Sequence, residues 1–175
     1  MDRLSPPGSV GDGPRRAARR YDPQVAAEGV GVEVVESVDQ GLVDAWERLL
    51  PQLSRSAVAV TPTVLREIIE SDATSLLVAR VDGVIVGSLT LVVFPLPTGR
   101  RAWIEDVVVD EAVRGRGVGE ALTRAAVARA AVLGARTVDL TSRPSRAAAN
   151  RLYQRVGFQA RETTVYRHAA PGRAG

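Results

Sequence analysis

Residues 114–119 read Arg-Gly-Arg-Gly-Val-Gly, so three glycines alternate with two arginines and a valine. A valine-rich run precedes them and an alanine-rich run follows. Ordering glycine costs more backbone entropy than ordering other residues, so three in this span imply close approach or left-handed backbone. The flanking patterns place them between a strand and a helix. A helix N-terminus offers unpaired N–H groups and about half a positive charge, which suits an anion. Arg114 and Arg116 add positive charge, and the chemistry that fits is binding of a phosphate or pyrophosphate. A P-loop is excluded, because it needs a lysine after its last glycine and the chain has none. A dinucleotide fingerprint, G-x-G-x-x-G, matches at Gly115 and Gly117 but meets Glu120 in its third place, with Asp139 near the distance of a ribose contact. The plainest alternative is a glycine-rich turn that packs helix against strand.

The surrounding elements follow from periodicity. GVEVVES from 31 reads as a strand, and LVDAWERLLPQL as an amphipathic helix ending near Pro51. Thr61 or Thr63 is placed to cap a second helix, VLREIIES. TSLLVARV and VIVGSLTLVVF read as strands joined by Asp82-Gly83, a tight-hairpin signal. RAWIEDVVVD is a further strand, followed by the glycines and a helix over about 117–133. On that helix Val118, Leu122, Ala125 and Val132 recur at helical spacing, and Glu120 pairs with Arg124 at i,i+4. ARTVDLTSR is a strand, SRAAANRLYQRV a helix, and GFQARETTVYRH one or two closing strands. The order β-α-α-β-β-β-α-β-α-β-β combines an antiparallel meander with one β-α-β crossover, an α+β sandwich. A dinucleotide fold would instead begin with the strand before the glycines and continue in βα units. Residues 1–28 and 169–175 are polar, Gly/Pro/Arg/Ala-rich and aperiodic and read as disordered tails, leaving 29–168 as one domain.

Taken together, VVVDEAVRGRGVGEAL and AANRLYQRVGF resemble the two cofactor motifs of the GNAT N-acetyltransferase superfamily. The first carries R-x-x-G-x-G, and the second A-x-x-L-Y-x-x-x-G-F, with one helix and one strand between them. The resemblance covers about 30–168. It implies an acetyltransferase with a mixed, mostly antiparallel sheet and a splayed strand pair, here the 102–109 and 137–142 strands. It implies acetyl-CoA as cosubstrate and no metal. The pantetheine arm would lie in the gap and pair with main-chain groups of Val107, Val108 and Val109. The pyrophosphate would meet Arg114, Gly115, Arg116, Gly117, Val118 and Gly119. Tyr153 would protonate or stabilise the departing thiolate. Asn150, on one helix face with Arg146 and Tyr153, would hold the cofactor, although many members carry that asparagine one turn earlier, where this chain has Arg146.

Acetyl transfer to an ammonium group also requires proton removal. Glu105 in WIEDVVVD is the first candidate base, in the expected apolar company of Trp103, Ile104 and Val107, which strengthens a carboxylate as a base. Asp106 and water are the alternatives. The acceptor is a small-molecule or peptide amine, shaped by 40–72 and by the loops at 94–101 and 159–164, which include Trp46, Arg55 and Arg100. A homodimer is common in the family. Two rival functions remain open: a non-catalytic acyl-CoA-binding module and a dinucleotide-dependent oxidoreductase.

Composition narrows the classes further. All 23 basic residues are arginine and the net charge is only +3. The pI near 10.1 thus reflects a base that does not titrate, not a large positive excess, and nucleic acid is not expected as a partner. With no cysteine, disulfides, thiolate zinc sites and a cysteine nucleophile are excluded. No apolar run has the roughly 20 residues needed to span a bilayer, and the N-terminus lacks a secretory pattern, so a cytoplasmic protein is expected.

Overall fold

A computed structural model describes residues 29–54 and 56–168. The readings of the two tails and of Arg55 lie outside these residues. The elements are β1 (Gly31–Val34), α1 (Gln40–Leu53), α2 (Pro62–Glu70), β2 (Thr74–Val81), β3 (Val84–Phe94), β4 (Arg101–Val109), α3 (Val118–Val132), β5 (Val138–Leu140) and α4 (Ala147–Val156). The five strands lie in sequence order, antiparallel from β1 to β4, with β5 parallel to β4. This is the expected α+β sandwich, and its meander rules out the dinucleotide fold.

Two apolar layers sandwich the sheet. Leu42, Trp46 and Leu49 of α1 and Leu65 of α2 pack on Leu76, Val78, Ile85 and Val108. On the opposite face Val118, Ala121, Leu122, Ala125, Ala126 and Ala130 of α3 pack on Leu89, Leu91, Ala102 and Ile104. Short alanines let α3 lie low on the sheet. Its face is not the expected one throughout, because Val132, in the last turn, is exposed.

Local signals explain most boundaries. Asp39 caps α1 by accepting from Leu42 N–H, and Thr61, not Thr63, caps α2 by accepting from Val64 N–H. Asp82 and Gly83 both have positive φ, as a tight hairpin requires. α1 does not stop at Pro51 but continues to Leu53, closed by Ser54 N–H donating to the Leu50 carbonyl at 2.9 Å. A proline in the last turn removes one hydrogen bond without ending the helix.

The closing strands are a second departure: residues 158–168 form no regular element. The segment has strand-like composition, yet beyond Phe158, which packs against the core, its side chains find no face to cover, and Val165 and Tyr166 are exposed. β5 is likewise only three residues long.

The feature that shapes the site is a bulge in β4. Ser88 faces Val108 and Thr90 faces Glu105, so Asp106 and Val107 together oppose Leu89. Asp106 takes φ +51°, a left-handed conformation that aspartate tolerates better than most residues. The extra residue reverses the alternation: Ala102 and Ile104 face α3, whereas Val108 faces α1. Asp106→Gly should therefore keep or raise stability, while Asp106→Val should lie about 1–2 kcal/mol below the glycine variant. Urea unfolding midpoints of the variants test this, and equal midpoints would remove the strain argument.

Candidate active site

Pairing between β4 and β5 covers only Ala102, Trp103 and Ile104. Beyond Ile104 the two strands separate, as the splayed pair anticipated, and the outer edge of β4 is open. Asp110 N–H donates to the Val86 carbonyl of β3 at 2.8 Å. Main-chain direction alternates along a strand, so Val108 also pairs with β3, while Val109 turns its main-chain groups to the open side and Val107 sits next to it in the bulge. The trio expected to offer backbone groups thus narrows to two. Val108 places its side chain in the α1 core.

The open edge leads to the glycine stretch. A short 3-10 turn, Glu111–Val113, connects β4 to it. Gly115 and Gly117 have φ of +82° and +80°, which requires glycine. Gly117 is the N-cap of α3 and supplies no side chain to cap it, so the first N–H groups of the helix stay available. Gly119 has another reason. A Cβ there would lie 3.1 Å from Leu152 Cδ1, so this glycine lets α4 close on α3. Val118 is buried in the core and offers a ligand only its backbone. Arg114 and Arg116 are exposed.

α4 forms the far wall. Glu120 Oε1 accepts from Arg124 Nη2 at 2.8 Å, the expected pair, and Glu120 Oε2 accepts from Arg155 Nε of α4 at 3.3 Å. These contacts, Arg124 first, hold the Glu120 carboxyl below its ordinary range. Tyr153 is 8% exposed and meets Phe158 edge-on with ring centroids 6.0 Å apart. Burial pushes its hydroxyl pKa up, opposed by the Arg146 charge. Asn150 donates to the Arg143 carbonyl at 3.1 Å, which ties down the β5–α4 connection and leaves its amide oxygen free for a ligand. Arg146 is not on the helix face with them but at the N-cap.

Glu105 lies on the α1 face of β4 beside Trp103, whose indole N–H donates to Glu105 Oε1 at 2.7 Å. Its surroundings are not apolar as expected. Ile104 and Val107 sit on the opposite face, and Glu105 and Asp106 are both exposed. Neither α1 nor α2 covers this part of the sheet, so Thr90, Val92 and Trp103 remain half-buried around the carboxylate. A cavity of about 460 Å³ lies at the α1–α2 connection, lined by Glu47, Leu50, Pro51, Ser54, Ala57, Ala59 and Val60. Trp46, expected near the acceptor, is instead a core residue.

Three residues escaped sequence reasoning. Ser142, after β5, has a buried hydroxyl with no protein partner. Arg48 and Gln52 of α1 bond to the start of the glycine loop. Their partners lie about 60 residues away, and no local pattern marks them.

The chain from residue 40 to residue 158 matches the model of the acetyltransferase (GNAT) family. It belongs to this family. As a GNAT the protein is an acyltransferase, and acetyl-CoA is the acyl donor of such enzymes. Among solved structures, a putative acetyltransferase from Agrobacterium tumefaciens is 25% identical with a TM-score of 0.70, over 79% of this chain and 99% of that one. A transcriptional regulator from Bacillus halodurans is 28% identical with a TM-score of 0.68, over the same shares. An aminoglycoside N-acetyltransferase in complex with CoA shares the fold at 19% identity, with a TM-score of 0.64 over 81% of this chain and 96% of that one. No curated protein matches significantly.

The site has an acid-sensitive support. Asp110 is 8% exposed, and the Arg48 guanidinium, then the Ala112 N–H, hold its carboxyl below the usual range. A lowered folded-state pKa gives stability that is present above the unfolded value, about 3.9, and lost as pH falls through the folded one. Melting temperature should therefore drop below about pH 4. Asp110→Asn should start lower at pH 7 and fall less steeply, with a residual slope from Glu120. Melts from pH 7 to pH 2.5 that run parallel for both proteins would contradict this.

Proposed function

We propose that this GNAT is an N-acetyltransferase that moves an acetyl group from acetyl-CoA to a primary amine of a small molecule or peptide, by direct attack in a ternary complex. The observation that carries the reading is the continuity of two unpaired backbone features, the open edge of β4 beyond Ile104 and the uncapped N-terminus of α3. Their donors and acceptors suit, in order, the amides of a pantetheine arm and a pyrophosphate. Val107 and Val109 would hold the arm. The side chains of Arg114 and Arg116 and the N–H groups of residues 115 and 117–119 would hold the diphosphate. Asn150 and the unpartnered Ser142 hydroxyl would face it from the opposite wall.

Acetyl-CoA supplies a thioester-activated acetyl group. The chain's own residues manage protons. Glu105, accessible on the uncovered sheet face, would accept one from the arriving ammonium, with Trp103 fixing one carboxylate oxygen. A tyrosine hydroxyl is protonated at neutral pH, and burial pushes the pKa of Tyr153 higher still, so it would act as a donor to the departing sulfur. The acceptor would approach over Thr90, Val92 and Trp103 and extend toward the α1–α2 cavity.

Calorimetric titration should give saturable binding of acetyl-CoA and none of NAD(H). A folded protein that ignores acetyl-CoA would end this reading. With an accepted amine, Tyr153→Phe should lower kcat by about 10²-fold while acetyl-CoA affinity stays within twofold. Equal turnover would remove Tyr153 as the acid. Glu105→Gln should flatten the acid limb of the pH–rate profile, and an unchanged profile would move the base to Asp106 or water.

The Bacillus regulator favours a second reading, an acyl-CoA-binding module without turnover. Free-thiol release across an amine panel separates the two, with no background from a protein lacking cysteine.

A further inference from the structure

We infer that Arg48 is a positioning residue for the cofactor loop, acting from α1 through Asp110. The inference rests on reading 114–119 as the pyrophosphate site. Arg48 uses its fork on two elements at once: Nε donates to Asp110 Oδ2 at 2.8 Å and Nη2 to the Ile85 carbonyl at 2.6 Å. The other oxygen of Asp110 accepts from Ala112 N–H at 3.1 Å, inside the 3-10 turn. One turn along α1, Gln52 Oε1 accepts from Glu111 N–H at 2.9 Å. From the turn the bonds pass onward, Arg114 N–H to the Glu111 carbonyl and Arg116 N–H to the Val113 carbonyl, both at 3.3 Å. A chain of hydrogen bonds thus runs from α1 to the main chain of Arg116.

The loop needs this outside support. Its two left-handed glycines add freedom, and no side chain caps α3. Donors fixed before the ligand arrives bind it more tightly, because less order is lost on binding. The Asp110 side chain is 12% exposed against 42% for Arg48, so one end of the pair is desolvated and the other reaches solvent. A lysine cannot serve two acceptors in this fork geometry.

The test titrates wild type, Arg48→Met, Arg48→Lys and Gln52→Ala with acetyl-CoA and with S-acetylpantetheine, which lacks the pyrophosphate. Arg48→Met should weaken acetyl-CoA roughly tenfold, the worth of one charge-assisted hydrogen bond, and leave S-acetylpantetheine unchanged. Arg48→Lys should fall between Arg48→Met and wild type. Acetyl-CoA affinity within twofold of wild type in folded Arg48→Met would overturn the inference. So would equal weakening of both ligands, the mark of general loosening. If Arg48→Met does not fold, Gln52→Ala decides: a loss of roughly threefold for acetyl-CoA alone supports the inference, and no loss overturns it. Failure of wild type to bind acetyl-CoA is a separate result. It overturns the reading of the loop, and this inference with it.

Discussion

One extra residue in β4 governs the geometry of the site. The bulge at Asp106 and Val107 has three consequences at once. It shifts the alternation, so Val108 enters the α1 core while Val107 and Val109 pack toward α3. It brings Val108 to the same face of the sheet as Glu105, which lies where the helices do not reach. It bends the strand beyond the reach of β5, whose pairing stops at Ile104. Without the bulge, β4 would continue as an ordinary central strand and its backbone groups would be taken by a neighbour on each side.

An open central strand carries a cost, since its N–H and C=O groups lack partners. The structure confines that opening between firm walls. On one side β3 lies very close to β4: a Cβ on Gly87 would sit 3.0 Å from the Val108 carbonyl. On the other, α3 and α4 are joined by the Gly119–Leu152 contact and by the Glu120–Arg155 pair. The glycine stretch therefore combines two demands. Gly115 and Gly117 provide backbone conformation, and Gly119 provides helix–helix approach. A pattern that reads as one motif has separate causes at its separate positions.

Much of the fold was legible because its signals are local. Apolar, β-branched runs marked β2 and β3, Asp82-Gly83 marked their turn, and the glycines marked the start of α3. The splayed pair was legible only through the family resemblance, and nothing in WIEDVVVD distinguishes a bulged strand from a straight one. What escaped depends on distant partners. The 158–168 segment has strand composition but meets no sheet edge. Trp46 has the chemistry of a ligand contact, yet amphipathic α1 buries it. Glu105 has apolar neighbours in sequence that a strand turns to the other face. Arg48 looks like one more arginine among 23, and only the folded chain brings it to Asp110.

Charge placement extends the same logic from fold to chemistry. Arginines occupy the loop at 114 and 116 and the connection into α4 at 143 and 146, where an anionic ligand would be drawn. Carboxylates occupy the other approach, Glu105 on the uncovered face of β4 and Glu47 in the cavity beside α1. A diphosphate-bearing donor and a cationic amine would then enter from opposite sides, each favoured by the charge it meets. On the proposed reading their meeting point would fall beside the bulge, and the residue that opens the sheet would also set where the two reactants converge. That arrangement would make a low net charge of +3 compatible with a strongly anionic ligand: the charges act by where they sit, and their sum has little bearing on the site.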